Sequence, residues 1–282
     1  MFEYFIEPLS YSFMQHALFA GTAVAIVCAV LSCYLVLKGW ALMGDAISHA
    51  VLPGVILAYV LALPLSIGAF ISGLSCALLT GYVKDNSRIK EDTVMGIVFS
   101  ALFALGIVLF AKIETEHHLT HILFGNMLGV VAADMWQIVI TSVIVTLILT
   151  VKYKDFMLYC FDKSHAKVAG LNVKLLHYGL LSLMALAIVA SIQIVGVIMV
   201  VAMLIGPGII ALMLTKQFGW MMFTACVVSL VSTFAGVIIS YHIDGATSSC
   251  IVLIQSALFI AALAFSKWKD KVIQRQLSQV VQ

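Results

Sequence analysis

Apolar residues run in long, nearly unbroken stretches with short polar interruptions. Nine such segments span about 14–37, 46–63, 65–83, 93–111, 134–151, 175–191, 194–215, 220–241 and 246–266. Each is about 18–25 residues, the length a helix needs to cross the hydrocarbon core. None alternates as barrel strands do. Backbone groups in lipid must pair within the segment, so the pattern predicts transmembrane helices. The second and third segments are parted only by Leu63 and Pro64, and the sixth and seventh only by Ile192 and Gln193. Gly206-Pro207-Gly208 is expected to break the seventh, as a gate or a bend. The fold class expected is all-α: one polytopic transmembrane bundle of about nine spans, with eight to ten compatible with the pattern.

Composition strengthens this picture. The chain of 282 residues is 63% hydrophobic and 10% charged, with a mean hydropathy of +1.14. A soluble domain carries about 25% charged residues. Met1 to Glu7 is acidic and the first apolar run exceeds a signal h-region, so no cleavable signal is expected. The net charge of +2 gives no reason to expect nucleic acid. Of the six cysteines, none in CxxC spacing, five lie inside apolar runs as small packing residues.

Charge sets an orientation. With nine spans and the N-terminus outside, fourteen of the 15 Lys and Arg fall on the inner side, leaving Lys112 outside. The positive-inside rule then puts the C-terminal tail, 267–282, in the cytoplasm. The long inner interruption, 152–174, is too polar to span. It holds a predicted short helix beginning near Asp162 and ending near Gly170. That helix is either a docking element for a cytoplasmic partner or an interfacial linker. The outer loop, 112–133, carries Glu114, Glu116, His117, His118 and His121. These are cation-ligand types, and the loop is a solvated connection, an outer metal-capture site or a contact with an extracellular partner.

One intramembrane pair can carry transport chemistry. Asp45 and His49 are four residues apart, hence on one helix face. Ionisable residues within spans commonly mark a pathway. A carboxylate with an imidazole suits manganese(II), iron(II) or zinc(II). Two ligands are too few for one ion, but a two-fold dimer would supply two of each. In the competing reading Asp45 caps the second helix and His49 makes a local hydrogen bond. Ser48 points elsewhere. Gln193 and Gln255 fit helix–helix hydrogen bonds, Gly21, Ala25 and Ala29 a close helix contact, and His242, Asp244 and Gly245 a turn. No GxxxxGK[ST], HExxH or GxSxG motif is present. The chain is therefore expected to be no enzyme, with no bound cofactor of its own.

The stretch LMGDAISHAVLPGVILAYVL resembles the metal-ion permease family of bacterial ABC importers for manganese, iron and zinc, and looks nearest to its manganese/iron branch. Glu91–Ser100 (EDTVMGIVFS), Leu123–Leu128 (LFGNML), and Val195-Gly196 through Leu204-Ile205-Gly206-Pro207 resemble further motifs of that family, in order, between about residues 10 and 268. The resemblance implies a permease of the bacterial inner membrane that moves a divalent ion. It implies Asp45 and His49 as transient ligands, and a second permease copy or a paralogue. ATP-binding subunits would dock on Asp162 to Gly170, with Asp162, His165, Ala169 and Gly170 in the contact. An extracytoplasmic metal-binding protein would deliver the ion, and ATP would be consumed by the partner subunits. A zinc-specific permease and a secondary cation transporter are the alternatives. Charge alone puts Asp45 near the inner end of the second span, at odds with a ligand deep in a channel.

Overall fold

The structure is a computed structural model that describes residues 10–40, 42–112, 129 and 132–280. Among these residues nine helices are long and apolar enough to cross a membrane. They are α1 (Ser12–Lys38), α2 (Met43–Val60), α3 (Leu65–Asp85), α4 (Glu91–Lys112), α5 (Ala132–Val151), α8 (Val173–Val195), α9 (Val197–Leu214), α10 (Phe218–Ile243) and α11 (Thr247–Val280). Two short helices, α6 (Tyr153–Phe161) and α7 (Lys163–Val168), join α5 to α8.

α1 lies at the centre, packed against α5, α8, α9 and α10. Its small residues make this possible. Gly21, Ala25 and Ala29 are all buried, and Ser229 Oγ of α10 donates to Ala25 O at 3.0 Å. Without a hydrophobic force between helices in lipid, such close backbone approach and interhelical hydrogen bonds carry the association. Gln193 of α8 donates to Ser66 Oγ of α3 at 3.0 Å, and Gln255 of α11 donates to Ala202 O of α9 at 3.0 Å. Both glutamines act as the helix-to-helix contacts expected of them.

α2 and α3 form a hairpin whose backbones meet at two glycines. A Cβ on Gly54 would strike Gly68 O, and one on Gly68 would strike Gly54 O. The α8–α9 boundary lies at Gly196 rather than at Ile192-Gln193. Gly196 alone joins the helices at φ 79°, ψ 166°, a region essentially reserved for glycine. Gln193 stays helical.

The expected break at Gly206-Pro207-Gly208 is absent, and α9 runs through Pro207 as one helix. Proline removes a backbone donor, and a neighbouring span serves the turn. Gly208 N–H donates to Ser32 Oγ at 2.8 Å, and Ser32 Oγ donates to Ile205 O at 3.2 Å. A Cβ at Gly208 would clash with Ser32, and one at Gly206 with Gln255. The two glycines are notches for neighbouring helices. The last turn between spans is as expected: Asp244 ends α10 at φ 48°, and Gly245 N–H donates to Ser240 O at 3.0 Å.

Candidate functional site

The site begins with the way α1 hands over to α2. Gly39, at φ 73°, closes α1, and Trp40 N–H donates back to Leu35 O at 2.9 Å. This is a Schellman closure, which needs a left-handed residue at the glycine. Trp40 is then 1% exposed, so the chain turns inside the protein and α2 starts there. Met43 N–H donates to Trp40 O at 3.1 Å.

Three neighbouring helices report the depth of that start. Cys76 Sγ lies 3.9 Å from Ala46 O. Cys76 is eleven residues from the start of α3 and nine from its end, hence about 16 Å and about 13 Å along the helix. A Cβ on Gly44 would lie 2.9 Å from Leu204, near the middle of α9. The His49 ring lies 5.4 Å from that of Phe103 and 6.1 Å from that of Phe99, both near the middle of α4. Asp45 and His49 therefore sit about halfway along the spans. Asp45 stands in the first turn of α2, near that span's end as charge predicts, but that end lies about halfway along the neighbouring helices. The reason is the buried turn at Trp40, which consumes part of the membrane depth before α2 begins.

The rotation of α2 is fixed from its opposite face. Ala46, Ile47, Ala50 and Val51 are buried. Ser72 Oγ of α3 donates to Ala50 O at 2.6 Å. Ser48 is buried, and its hydroxyl donates to Gly44 O at 2.7 Å. What remains open is the face with Asp45 and His49, whose side chains are 38% and 34% exposed.

Asp45 does not cap α2. The helix begins at Met43 after Leu42, with no side-chain cap. The carboxylate is free to face His49, whose Nδ1 lies 3.2 Å from Asp45 Oδ1 and 3.0 Å from Asp45 O. Both acceptors favour the proton on Nδ1. Nε2 then carries the lone pair, the tautomer a metal ligand needs. The local hydrogen bond of the competing reading is thus compatible with a ligand role. Among the described residues no three or more His, Cys, Asp or Glu gather as a metal set. The pair stands by itself on the open face of α2.

The second region is the α6–α7 turn. Asp162 Oδ1 accepts Ser164 N–H at 2.7 Å and His165 N–H at 3.1 Å. These two donors hold its carboxyl below the usual carboxylate range. Ala169 ends α7, and Gly170, at φ 80°, turns the chain. The helix predicted between Asp162 and Gly170 is present, and Phe161 and Val168 stand exposed beside it. Glu114, Glu116, His117, His118 and His121, and the Leu123–Leu128 stretch, lie outside the described residues.

Residues 10–266 match the ABC 3 transport family. The chain belongs to that family. It is 61% identical over 267 residues to a probable iron transport system membrane protein of Haemophilus influenzae, covering 95% of this chain and 98% of the relative. It is 48% identical to the manganese transport system membrane protein MntB of Synechocystis, covering 92% and 84%. Its fold matches PsaBC from Streptococcus pneumoniae, solved in complex with Fab, with a TM-score of 0.83 at 38% identity, over 93% of this chain and 95% of that one. The protein is a membrane-spanning permease of an ABC transport system.

Sequence reasoning passed over one cluster on the α6–α7 side. His177, Tyr159 and Trp40 are all buried, and His177 meets both of the others. The available signal was weak: a histidine four residues into a span, with aromatic residues far away in sequence.

Proposed function

We propose that this permease moves iron(II) or manganese(II) inward across the bacterial inner membrane, and that Asp45 and His49 hold the ion in passage. The observation that carries the proposal is the oriented carboxylate–imidazole pair on the open face of α2, about midway along the spans. A hard carboxylate and a borderline imidazole suit both ions. The relatives' names, iron in one case and manganese in another, support the same two metals.

A second copy of the chain, or a paralogue, faces the first and completes the shell. Two carboxylates then cancel the 2+ charge where the medium solvates ions poorly. Phe99 and Phe103 beside His49 are apolar walls that strip water without adding ligands. A shell made of two loosely held halves binds moderately and can release when the halves separate.

The energy comes from elsewhere. ATP-binding subunits consume ATP and press on the exposed turn formed by Asp162, His165, Ala169 and Gly170. An extracytoplasmic metal-binding protein delivers the ion from the opposite side. In this arrangement 152–174 and the C-terminal tail are cytoplasmic, and the chain is one permease domain that catalyses no reaction itself.

The test is metal accumulation in cells carrying wild type, Asp45→Ala or His49→Ala, at matched membrane levels. Loss of manganese and iron accumulation in both variants is expected. Normal accumulation in both would make the pair structural.

A further inference from the structure

Four elements converge on one buried imidazole, beside the point where α2 begins. His177 of α8 is 8% exposed. Its Nδ1 shares a hydrogen bond of 2.7 Å with Tyr159 Oη of α6. Trp40 meets the imidazole edge-on, at 5.6 Å between centroids and 67° between planes. Gly81 of α3 leaves the space for it, since a Cβ there would lie 3.1 Å from Nε2. Lys38 Nζ, at the end of α1, lies 4.4 Å from the Tyr159 ring centroid and 5.8 Å from that of Trp40.

The two ends of this cluster belong to different functional segments. Tyr159 is fully buried in α6, and α6 runs directly into the Asp162 cap of the exposed α7 turn. Trp40 is part of the first turn leading into α2, through the Met43–Trp40 hydrogen bond of 3.1 Å. Asp45 follows within the first turn of α2. Between them stands His177. A buried phenol and a buried imidazole are costly when unpaired, so the Tyr159–His177 bond resists separation. Packed interiors shift as units rather than yielding gradually. Displacement of α6 therefore carries His177, and His177 bears on Trp40. Among the described residues Trp40 Nε1 has no hydrogen-bond partner, so ring contacts and the Lys38 ammonium seat the indole, and it can follow the imidazole without breaking a side-chain hydrogen bond.

We infer that the Tyr159–His177 hydrogen bond, seated against Trp40, is the positioning link through which the α6–α7 turn sets the placement of α2 and its Asp45–His49 pair. This rests on the proposed roles of that turn and that pair. Tyr159, His177 and Trp40 are positioning residues, and none of them touches the ion.

The test uses the whole transporter in proteoliposomes, with manganese(II) as the probe. Uptake and phosphate release are measured in the same vesicles. Tyr159→Phe removes one oxygen. His177→Phe keeps a ring against Trp40 but not the bond. His177→Asn puts an amide near the place of Nδ1. Both phenylalanine variants should hydrolyse ATP nearly as wild type does, while manganese moved per ATP falls by about fivefold. His177→Asn should recover most of that ratio. An unchanged ratio in Tyr159→Phe, or uptake and hydrolysis falling in equal proportion, overturns the link. Should His177→Phe fail to reach the membrane, Tyr159→Phe decides alone. Asp45→Ala in the same assay keeps the two ideas apart: if it transports normally, the ion-ligand assignment fails, whatever the ratio in Tyr159→Phe.

Discussion

Ser32 and Gly208 meet across α1 and α9, with the Gly208 N–H donating to Ser32 Oγ at 2.8 Å. The same hydroxyl donates to Ile205 O at 3.2 Å. One side chain thus serves a donor and an acceptor on the turn that contains Pro207. The hydroxyl thereby ties to α1 the turn in which α9 carries a proline at mid-span. Ser32→Ala is expected to cost about 1 kcal/mol. Thermal unfolding of the purified permease in detergent should move down by a few degrees. An unchanged midpoint would mean that the hydroxyl is dispensable to α9.

The Gly54–Gly68 crossing makes a sharper demand. Alanine at either position places Cβ against backbone rather than against a side chain that can move. Overpacking of this kind costs about 1–3 kcal/mol or more. Gly54→Ala should sharply lower the yield of folded permease. Gly179→Ala is the control, because a Cβ there meets nothing within 4 Å. Equal yields of the two variants would contradict the packing described.

Asp45→Asn isolates charge from shape. The amide occupies the carboxylate's place beside His49 Nδ1, but it cannot offset the cation. Initial rates of manganese uptake should fall by about tenfold or more at equal membrane level, in the range seen when a group orienting a metal ligand is lost. A rate close to wild type would show that charge at this position is not needed for passage.

The Asp162 cap has a defined pH dependence. Its carboxyl is held below the usual range by the Ser164 and His165 amides. A lowered folded-state value means that the stabilising effect is complete above the unfolded value, and is lost as pH falls through the folded one. Amide hydrogen exchange at Ser164 and His165 should therefore stay slow through neutral and mildly acidic pH, and quicken only in strong acid. Asp162→Ala should quicken it at neutral and mildly acidic pH and converge with wild type in strong acid, whereas Asp162→Asn should largely preserve it, since asparagine also caps. Protection in Asp162→Ala equal to wild type would remove the cap from the account of α7.

Much of this was legible in the chain because it depends on short-range rules. Apolar runs of spanning length fixed the helices, since each must satisfy its own backbone. The four-residue spacing put Asp45 and His49 on one face. Asp162 and Gly170 bounded α7, because an acceptor side chain and a left-handed glycine are local requirements of helix ends. The same local reasoning misjudged Gly206-Pro207-Gly208. It weighed the proline's lost donor but had no means of finding Ser32, 176 positions from Gly208.

Depth, rotation and convergence belonged to the tertiary structure alone. Charge counts along a chain register which side a loop faces, but not how far a buried turn such as that at Trp40 carries the next helix inward. Ser72 and Cys76 of α3 and Leu204 of α9 set where α2 begins and which face it leaves open, and none is near Asp45 in sequence. The meeting of Tyr159, His177, Trp40 and Gly81 was equally invisible, because it is made by packing four separate segments. What the sequence determined by itself was the set of helices and the chemistry each one carries, since those follow from neighbours along the chain. What only the fold decided was which of those chemistries meet, and at what depth, since that follows from neighbours in space.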